Sequence, residues 1–277
     1  MVSFQRQNQI LKILNTQQFA RYSDLAKQLF VSPATVRRDT LDMENRGLIR
    51  RVLNGVTLSE EPKDVPYDYS VTLNLDAKRV VATRANRLIK SGMSLFIDSS
   101  TTSLVLIREL KDIDELYIVT NGILVALEAS KRNGWYVSLV GGTVNKMLEN
   151  ISGDKATRDI ENYQADLAVF SCRGLIATGA TDANDQEANI KRAFAAHADQ
   201  VMLLVDHTKV GKHQLYMSAP MNTLDYIATD KVMPEAIVNA ARANHIRIFR
   251  LSALIKWVAY LQQVCKKALE TSHKTHL

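Results

Sequence analysis

Apolar residues recur first at helical spacing and then, further along, in short strand-length runs. Ile10, Leu11 and Leu14 mark a first helix. Leu25, Ala26 and Leu29 mark a second, with Ser23 as its expected cap and Phe30-Val31 as a tight connection onward. In the third stretch, 32–47, Val36, Thr40 and Met43 form one inward side. Ser32 suits the N-cap, Pro33 the first helical position and Gly47 the left-handed stop. Ala34, Arg37, Arg38 and Asn45 fall on the opposite side, with Thr35 and Asp39 on a flank. Residues 48–52 then read as a strand, Asn54-Gly55 as a hairpin turn and 56–58 as the returning strand. Three short helices followed by such a hairpin predict a winged helix-turn-helix over residues 1–58.

Pro62 and Pro66 among charges interrupt both periods, which places a linker at 59–70. A helical pattern over 71–91 follows, closed by Gly92. Strands are then expected at 94–97, 116–119, 136–140, 167–170, 201–205, 226–228 and 246–249. Helices are expected at 104–110, 123–131, 156–163, 187–197 and 235–242. This alternation predicts a parallel sheet covered on both faces, so that 71–250 forms an α/β domain. Residues 251–277 carry a further stripe (Leu251, Leu254, Ile255, Val258, Leu261, Cys265, Leu269) and form a C-terminal amphipathic extension.

Charge sharpens this division. Residues 1–60 hold nine Lys/Arg against five Asp/Glu, and 251–277 hold four against one, out of a total net charge of +6. The basic excess belongs to the head and the tail, which suits a polyanion partner for the head. An arginine pair on the outer face of a short capped helix suits a DNA major groove. The candidate contact set is Ser32, Pro33, Ala34, Thr35, Arg37, Arg38, Arg50, Arg51 and Asn54. Cys172 and Cys265 form no CxxC pair, no apolar leader is seen and no run reaches membrane-span length, so a cytoplasmic protein is expected.

Polar clusters fall where the predicted strands end, the place where open parallel sheets bind ligands. They are Asp98-Ser99-Ser100-Thr101-Thr102, Thr120-Asn121-Gly122, Gly141-Gly142-Thr143, Gly179-Ala180-Thr181-Asp182 with Glu187 and Lys191, and Asp206 to Lys212 including Lys209. Hydroxyls and N–H groups gathered at a helix start make an anion site. His207 and His213 lack further ligands at metal spacing, and Cys172 has no helping base, so neither a metal nor a cofactor is expected.

The stretch "YSDLAKQLFVSPATVRRDTLDMENRGLIRRVLNGVTL" resembles the N-terminal domain of the DeoR family of bacterial transcriptional regulators. Thr35, Val36, Arg37, Arg38 and Asp39 match that family's recognition helix. The chain departs from it at Thr40-Leu41 and in the wing, where Leu53-Asn54-Gly55-Val56 stands for His-Gly-Gly-Ala. "DSSTT", "IVTNG", "VGGTV", "ADLAVFSCRGL", "GATDANDQEANIKRA", "LLVDHTKVGK" and "DYIATD" are similar to the family's C-terminal sensor domain, with Ser100 where glycine is common. The resemblance spans roughly residues 3–250. It implies a sensor related in fold to ribose-phosphate isomerases, and a repressor of double-stranded operator DNA controlled by a phosphorylated sugar or sugar acid. It also implies a homo-oligomer, dimer or tetramer.

By that resemblance Asp98, Ser99, Ser100, Thr101 and Thr102 surround the effector phosphate, with Thr120, Asn121, Gly141 and Gly142 beside them. Asp182, Glu187, Lys191, Asp206 and Lys209 line the sugar side, and Arg173 is a candidate extra anion contact. Residue types leave one alternative open, since the same carboxylates and lysines would serve a sugar-phosphate isomerase carrying a DNA-binding head.

Overall fold

The structure, a computed structural model, describes residues 3–45, 48–58, 67–145 and 149–250. The expected stop at Gly47, the prolines of the linker and the extension 251–277 lie outside the described residues. The chain divides into two compact units, Met1–Leu73 and Asn74–Leu277.

In the first unit, α1 (Ser3–Gln17) leads into β1 (Phe19–Arg21), α2 (Tyr22–Gln28) and α3 (Pro33–Asn45). The wing follows as β2 (Ile49–Val52) and β3 (Gly55–Leu58), and α4 (Tyr67–Thr72) ends the unit. Ile10, Leu11, Leu14, Leu25, Val36, Met43, Leu48 and Val56 are all essentially inaccessible and form one core. The helical stripes therefore point where their spacing predicts.

The wing has a third strand that periodicity does not reveal. β1 pairs antiparallel with β3, giving the order β1-β3-β2. Its three residues are too few to carry a period. The strand also explains Gly55, which stands opposite Arg21, where an added Cβ would lie 2.4 Å from the Ala20 carbonyl oxygen. The hairpin turn itself is Leu53-Asn54, with Asn54 taking the positive φ of 61°. Gly55 thus serves close packing, and Asn54 serves the turn. Ser23 is corrected as well: α2 starts two residues earlier than that cap implies, its cap position is Arg21, and no side chain caps it.

Where the first unit gives way to the second, the single helix expected over 71–91 is broken. α4 stops at Thr72, Asn74 adopts φ 52°, and α5 runs Leu75–Ala85. The left-handed residue interrupts the i→i−4 ladder where apolar spacing alone continues it.

The chain then continues through β4 (Ser94–Ile97), α6 (Thr101–Glu109), β5 (Leu116–Thr120), α7 (Ile123–Ala129) and β6 (Trp135–Leu139). A hairpin of β7 (Thr143–Asn145) and β8 (Asn150–Ser152) precedes α8 (Asp154–Ile160) and β9 (Ala165–Ser171). Next come β10 (Gly174–Ile176), β11 (Gly179–Asp182), α9 (Asp185–Ala196), β12 (Ala198–Val205) and β13 (Tyr216–Pro220). β14 (Tyr226–Thr229), α10 (Glu235–Ala243) and β15 (Arg247–Phe249) complete the order.

Seven strands form a sheet in the order β15-β14-β12-β9-β4-β5-β6, and every pairing in it is parallel. Leu95, Phe96 and Ile97 in the middle strand are all fully buried. Successive side chains point to opposite faces, so both faces of the sheet are covered, as the apolar runs predict. Phe96 stacks on Phe194 of α9 at 4.8 Å, joining strand to helix layer. A smaller antiparallel sheet, β10-β11-β13, and the β7–β8 hairpin lie outside the expected pattern. All seven parallel strands run the same way, so the loops after β4, β5, β6, β9, β12 and β14 share one edge.

Candidate nucleic-acid interface and effector site

The start of α3 is built as its sequence predicts. The Thr35 N–H donates to Ser32 Oγ at 3.2 Å, and the two hydroxyls lie 2.9 Å apart. Val36, Thr40 and Met43 are buried, while Pro33, Ala34, Arg37 and Arg38 are exposed. Asp39 departs from its expected flank position. It is 2 % exposed and accepts from Arg6 Nε at 2.7 Å, Arg6 Nη2 at 3.1 Å and Ser3 Oγ at 2.6 Å. That carboxylate ties α1 to the recognition helix, and Arg6 escapes local reading because it lies 33 positions away.

In the wing, Arg50 and Asn54 are exposed, whereas Arg51 is only half so. Arg51 Nε donates to the Tyr22 hydroxyl at 3.2 Å and lies 3.7 Å from Glu44 Oε2. A cleft of about 630 Å³ opens between the starts of α2 and α3 and the wing tip. Arg21, Tyr22, Ser23, Pro33, Arg37 and Asn54 line it together with Phe19 and Leu53. It brings Pro33, Arg37 and Asn54 of the candidate set together.

At the edge of the parallel sheet, Ser100 caps α6 by accepting the Ser103 N–H at 3.1 Å. The N–H groups of Thr101 and Thr102 in this first turn have no intrahelical acceptor. Asp98 turns inward, accepting from Ser100 Oγ (2.7 Å), Ser103 Oγ (2.5 Å) and the Ser171 N–H (3.2 Å). Asp98 and Ser100 thus hold the loop in shape. Asn121 has a similar part: its Oδ1 accepts the Ser99 N–H at 3.0 Å and its Nδ2 donates to the Ile151 carbonyl at 3.1 Å. Asn150 Nδ2 donates to Ser99 Oγ at 3.2 Å. Thr120 Oγ1 accepts the Gly122 N–H, and the Gly141 N–H donates to Asp159 at 2.8 Å. Gly122 leaves no room for a side chain, since its Cβ would come 2.7 Å from Ser99 Cα.

Cations gather around this helix start. Lys78 Nζ donates to Thr101 Oγ1 at 2.9 Å. Lys209 Nζ donates to Ser171 Oγ at 2.9 Å and Thr102 Oγ1 at 3.3 Å, with Asp206 Oδ2 3.5 Å away. Lys78 is 3 % exposed; burial, joined by the repulsion of Lys209 and Arg173 against the pull of Asp206, lowers its ammonium to about 7. Burial alone would raise Asp206, but Lys209, Thr208 and Lys78 outweigh it and hold that carboxyl below its ordinary value.

Next to this group, Lys191 Nζ lies 2.8 Å from Asp182 and 3.8 Å from Asp98, all three buried. Burial works against the Lys191 charge, yet Asp182, Asp98 and Glu187 together raise it above the usual lysine value. The i,i+4 spacing suggests a surface link between Glu187 and Lys191; instead Lys191 turns inward to Asp182. Burial pushes the Glu187 carboxyl up despite Lys191. Cys172 is a buried thiol held up at about 12 by burial, which suits a packing residue and not a nucleophile. His207 Nδ1 lies 2.6 Å from Asp230, and the described residues hold no metal-ligating cluster.

Thr101, Thr102, Asp206 and Lys209 are therefore brought together around one helix start, with Asp182, Glu187 and Lys191 alongside. Thr120, Asn121 and Gly141 are instead engaged in fastening the loops, to Gly122, to Ser99 and Ile151, and to Asp159 in turn, and Gly142 packs against Ile151 and Ser152. Lys78 was not picked out by motif. Its signal was a lysine on an apolar stripe, three, four and seven positions before the buried Val81, Ala82 and Ala85.

Two family descriptions match the chain: "DeoR-like helix-turn-helix domain" over residues 6–61 and "DeoR C terminal sensor domain" over 73–231. The HTH-type transcriptional regulator GolR of Listeria innocua is 30% identical over 239 residues, covering 86% of this chain and 94% of that protein. The glycerol-3-phosphate regulon repressor of Escherichia coli (strain K12) is 26% identical, covering 90% of this chain and 99% of that protein. The HTH-type transcriptional repressor GlcR of Bacillus subtilis is 28% identical, covering 79% and 85%. Among solved structures, the chain is similar to ribose 5-phosphate isomerase A from Methanocaldococcus jannaschii, with a TM-score of 0.36, 17% identity and 49% and 54% of the two chains covered. The relatives are named regulators and repressors, which sets aside the isomerase alternative. The described residues contain no helix long and apolar enough to cross a membrane. With both halves matched in order, the chain belongs to the DeoR family of DNA-binding transcriptional regulators.

Proposed function

We propose that this protein is a cytoplasmic repressor whose grip on operator DNA is set by a phosphorylated sugar or sugar acid. The observation that carries the effector assignment is the gathering of Lys78, Lys209 and the first-turn N–H groups of Thr101 and Thr102 at the start of α6. Burial, with the repulsion of Lys209 and Arg173 added, lowers the Lys78 ammonium to about 7, and a bound phosphate would favour its charged form. Asp182, Glu187, Lys191 and Asp206 would meet the hydroxyls of the same ligand, with Arg173 close enough to add charge.

Operator contact falls to Ser32, Pro33, Ala34, Thr35, Arg37 and Arg38, with Arg50, Arg51 and Asn54 reaching the flanking backbone. A symmetric homo-oligomer would set two heads about 34–36 Å apart, or a multiple of that. The effector changes operator affinity by no more than its differential affinity for the two arrangements of the oligomer.

The test is thermal melting of the full chain against a panel of phosphorylated sugars, sugar acids and their unphosphorylated counterparts. It is paired with binding to the duplex upstream of its own gene. Stabilisation by phosphorylated compounds together with altered duplex binding is expected. Equal responses to both classes of compound would overturn the effector assignment.

A further inference from the structure

Tyr22 opens α2 and is 7 % exposed, yet three separate parts of the head meet on it. Its N–H donates to the Asn54 carbonyl in the wing turn at 3.1 Å. Its hydroxyl accepts from Arg51 Nε of β2 at 3.2 Å. Its ring carries the Arg37 guanidinium of α3, whose carbon lies 4.9 Å from the ring centroid. Glu44 of α3 braces Arg51, accepting its main-chain N–H at 2.8 Å.

The cleft beside Tyr22 is rimmed by Arg21, Ser23, Arg37 and Asn54, and among the described residues no carboxylate lines it. A donor-rich groove of that kind suits a sugar–phosphate strand. An arginine already parked on an aromatic face has less freedom to lose when it meets its target.

We propose that Tyr22 is a positioning residue for DNA recognition: it holds Arg37 of the recognition helix and Arg51 of the wing at a set separation, so that the cleft between that helix and the wing tip, lined by Arg37 and Asn54, receives one strand of the duplex. This rests on the operator-binding reading above and adds to it a link between two elements that otherwise act separately.

The experiment uses the full chain and two labelled duplexes. One is enriched from a random pool by the wild-type protein, and the other is a shuffled sequence of equal length. Tyr22→Leu is expected to weaken binding to the enriched duplex about tenfold, and in an Arg37→Ala, Arg51→Ala background by less than about twofold, because partners in one network are not additive. Tyr22→Phe keeps the ring beneath Arg37, so it should lose only about threefold, and that loss should vanish in the Arg51→Ala background.

A residue with a merely structural part would give the same loss in every background and on both duplexes; that result overturns the proposal. Should Tyr22→Leu not fold by circular dichroism, the Tyr22→Phe and Arg51→Ala cycle decides alone. A wild-type protein that enriches no duplex overturns the operator-binding reading itself. Enrichment with additive losses overturns this proposal and leaves that reading standing.

Discussion

Helices α3 and α6 begin alike and end up facing different chemistry. In each, a serine hydroxyl takes an N–H three residues on: Thr35 to Ser32 at 3.2 Å, and Ser103 to Ser100 at 3.1 Å. The start of α3 stands in solvent, with Arg37 and Arg38 on its outer side. The start of α6 sits at the end of a buried strand, with Lys78 and Lys209 within hydrogen-bond reach of its first two threonines. The cap is common to both; the surroundings separate them. An exposed helix start with long planar cations suits a wide, repeating polyanion. A sunken start with compact ammonium groups suits one small anion. Cap residues alone therefore mark where a helix begins and say little about what it meets.

The largest effect expected on this comparison is in the sunken site. Lys191→Met leaves Asp182 and Asp98 buried without their cation, and should destabilise the second unit by about 3–5 kcal/mol. Urea unfolding would show it, and an unchanged midpoint would mean that the three groups are better hydrated than their burial implies.

Exchange of function between the helices comes next. Arg38→Ala should weaken operator binding by about 1–3 kcal/mol while leaving melting shifts with sugar phosphates intact. Lys209→Met should do the reverse. If either variant lost both responses, the division of labour between the two helix starts would fail.

The caps themselves sharpen the contrast further. Ser32→Ala should cost about 1 kcal/mol. Ser100→Ala should cost about 2 kcal/mol, because it also removes a donor from the buried Asp98. Equal losses in thermal melts would make the two caps equivalent.

The smallest effect is a pH dependence. Lys78 carries its charge below about 7 and loses it above, whereas a sugar phosphate, with a second pKa of about 6, is already mostly dianionic by about pH 7. From about pH 7 to about pH 9 only the lysine changes, so effector affinity should fall roughly several-fold by calorimetry. Stability runs the other way. Over the window from about 7 to the ordinary lysine value of 10.5, the unfolded chain binds a proton that the folded chain does not. Effector-free protein should therefore gain stability as pH rises through that window. Lys78→Met should remove both trends.

What could be read without the structure was what is local. Ser32, Pro33 and the stripe of Val36, Thr40 and Met43 sit within one helix, and their spacing carries the whole message. The parallel sheet was legible for a related reason, since fully buried strands are apolar in every position. β1, β10, β11 and β13 were not, because strands of three to five residues are too short to carry a period, and β1 and β13 also pair with strands far along the chain. The burial of Asp39 escaped because its partner Arg6 lies on another helix. Lys78 escaped because a single charged residue on an apolar stripe reads as a snorkelling side chain. The polar clusters do fall along one edge of the sheet, but residue types could not tell which of them face outward and which fasten the loop.

Asp98 has one consequence of its own. A carboxylate three residues before the start of α6 ought to repel any anion arriving there. Yet its oxygens are already occupied by two hydroxyls and a main-chain amide, with the Lys191 ammonium 3.8 Å behind. The aspartate is in effect insulated, so a visitor at the helix tip meets donors while the negative charge is spent inside the protein.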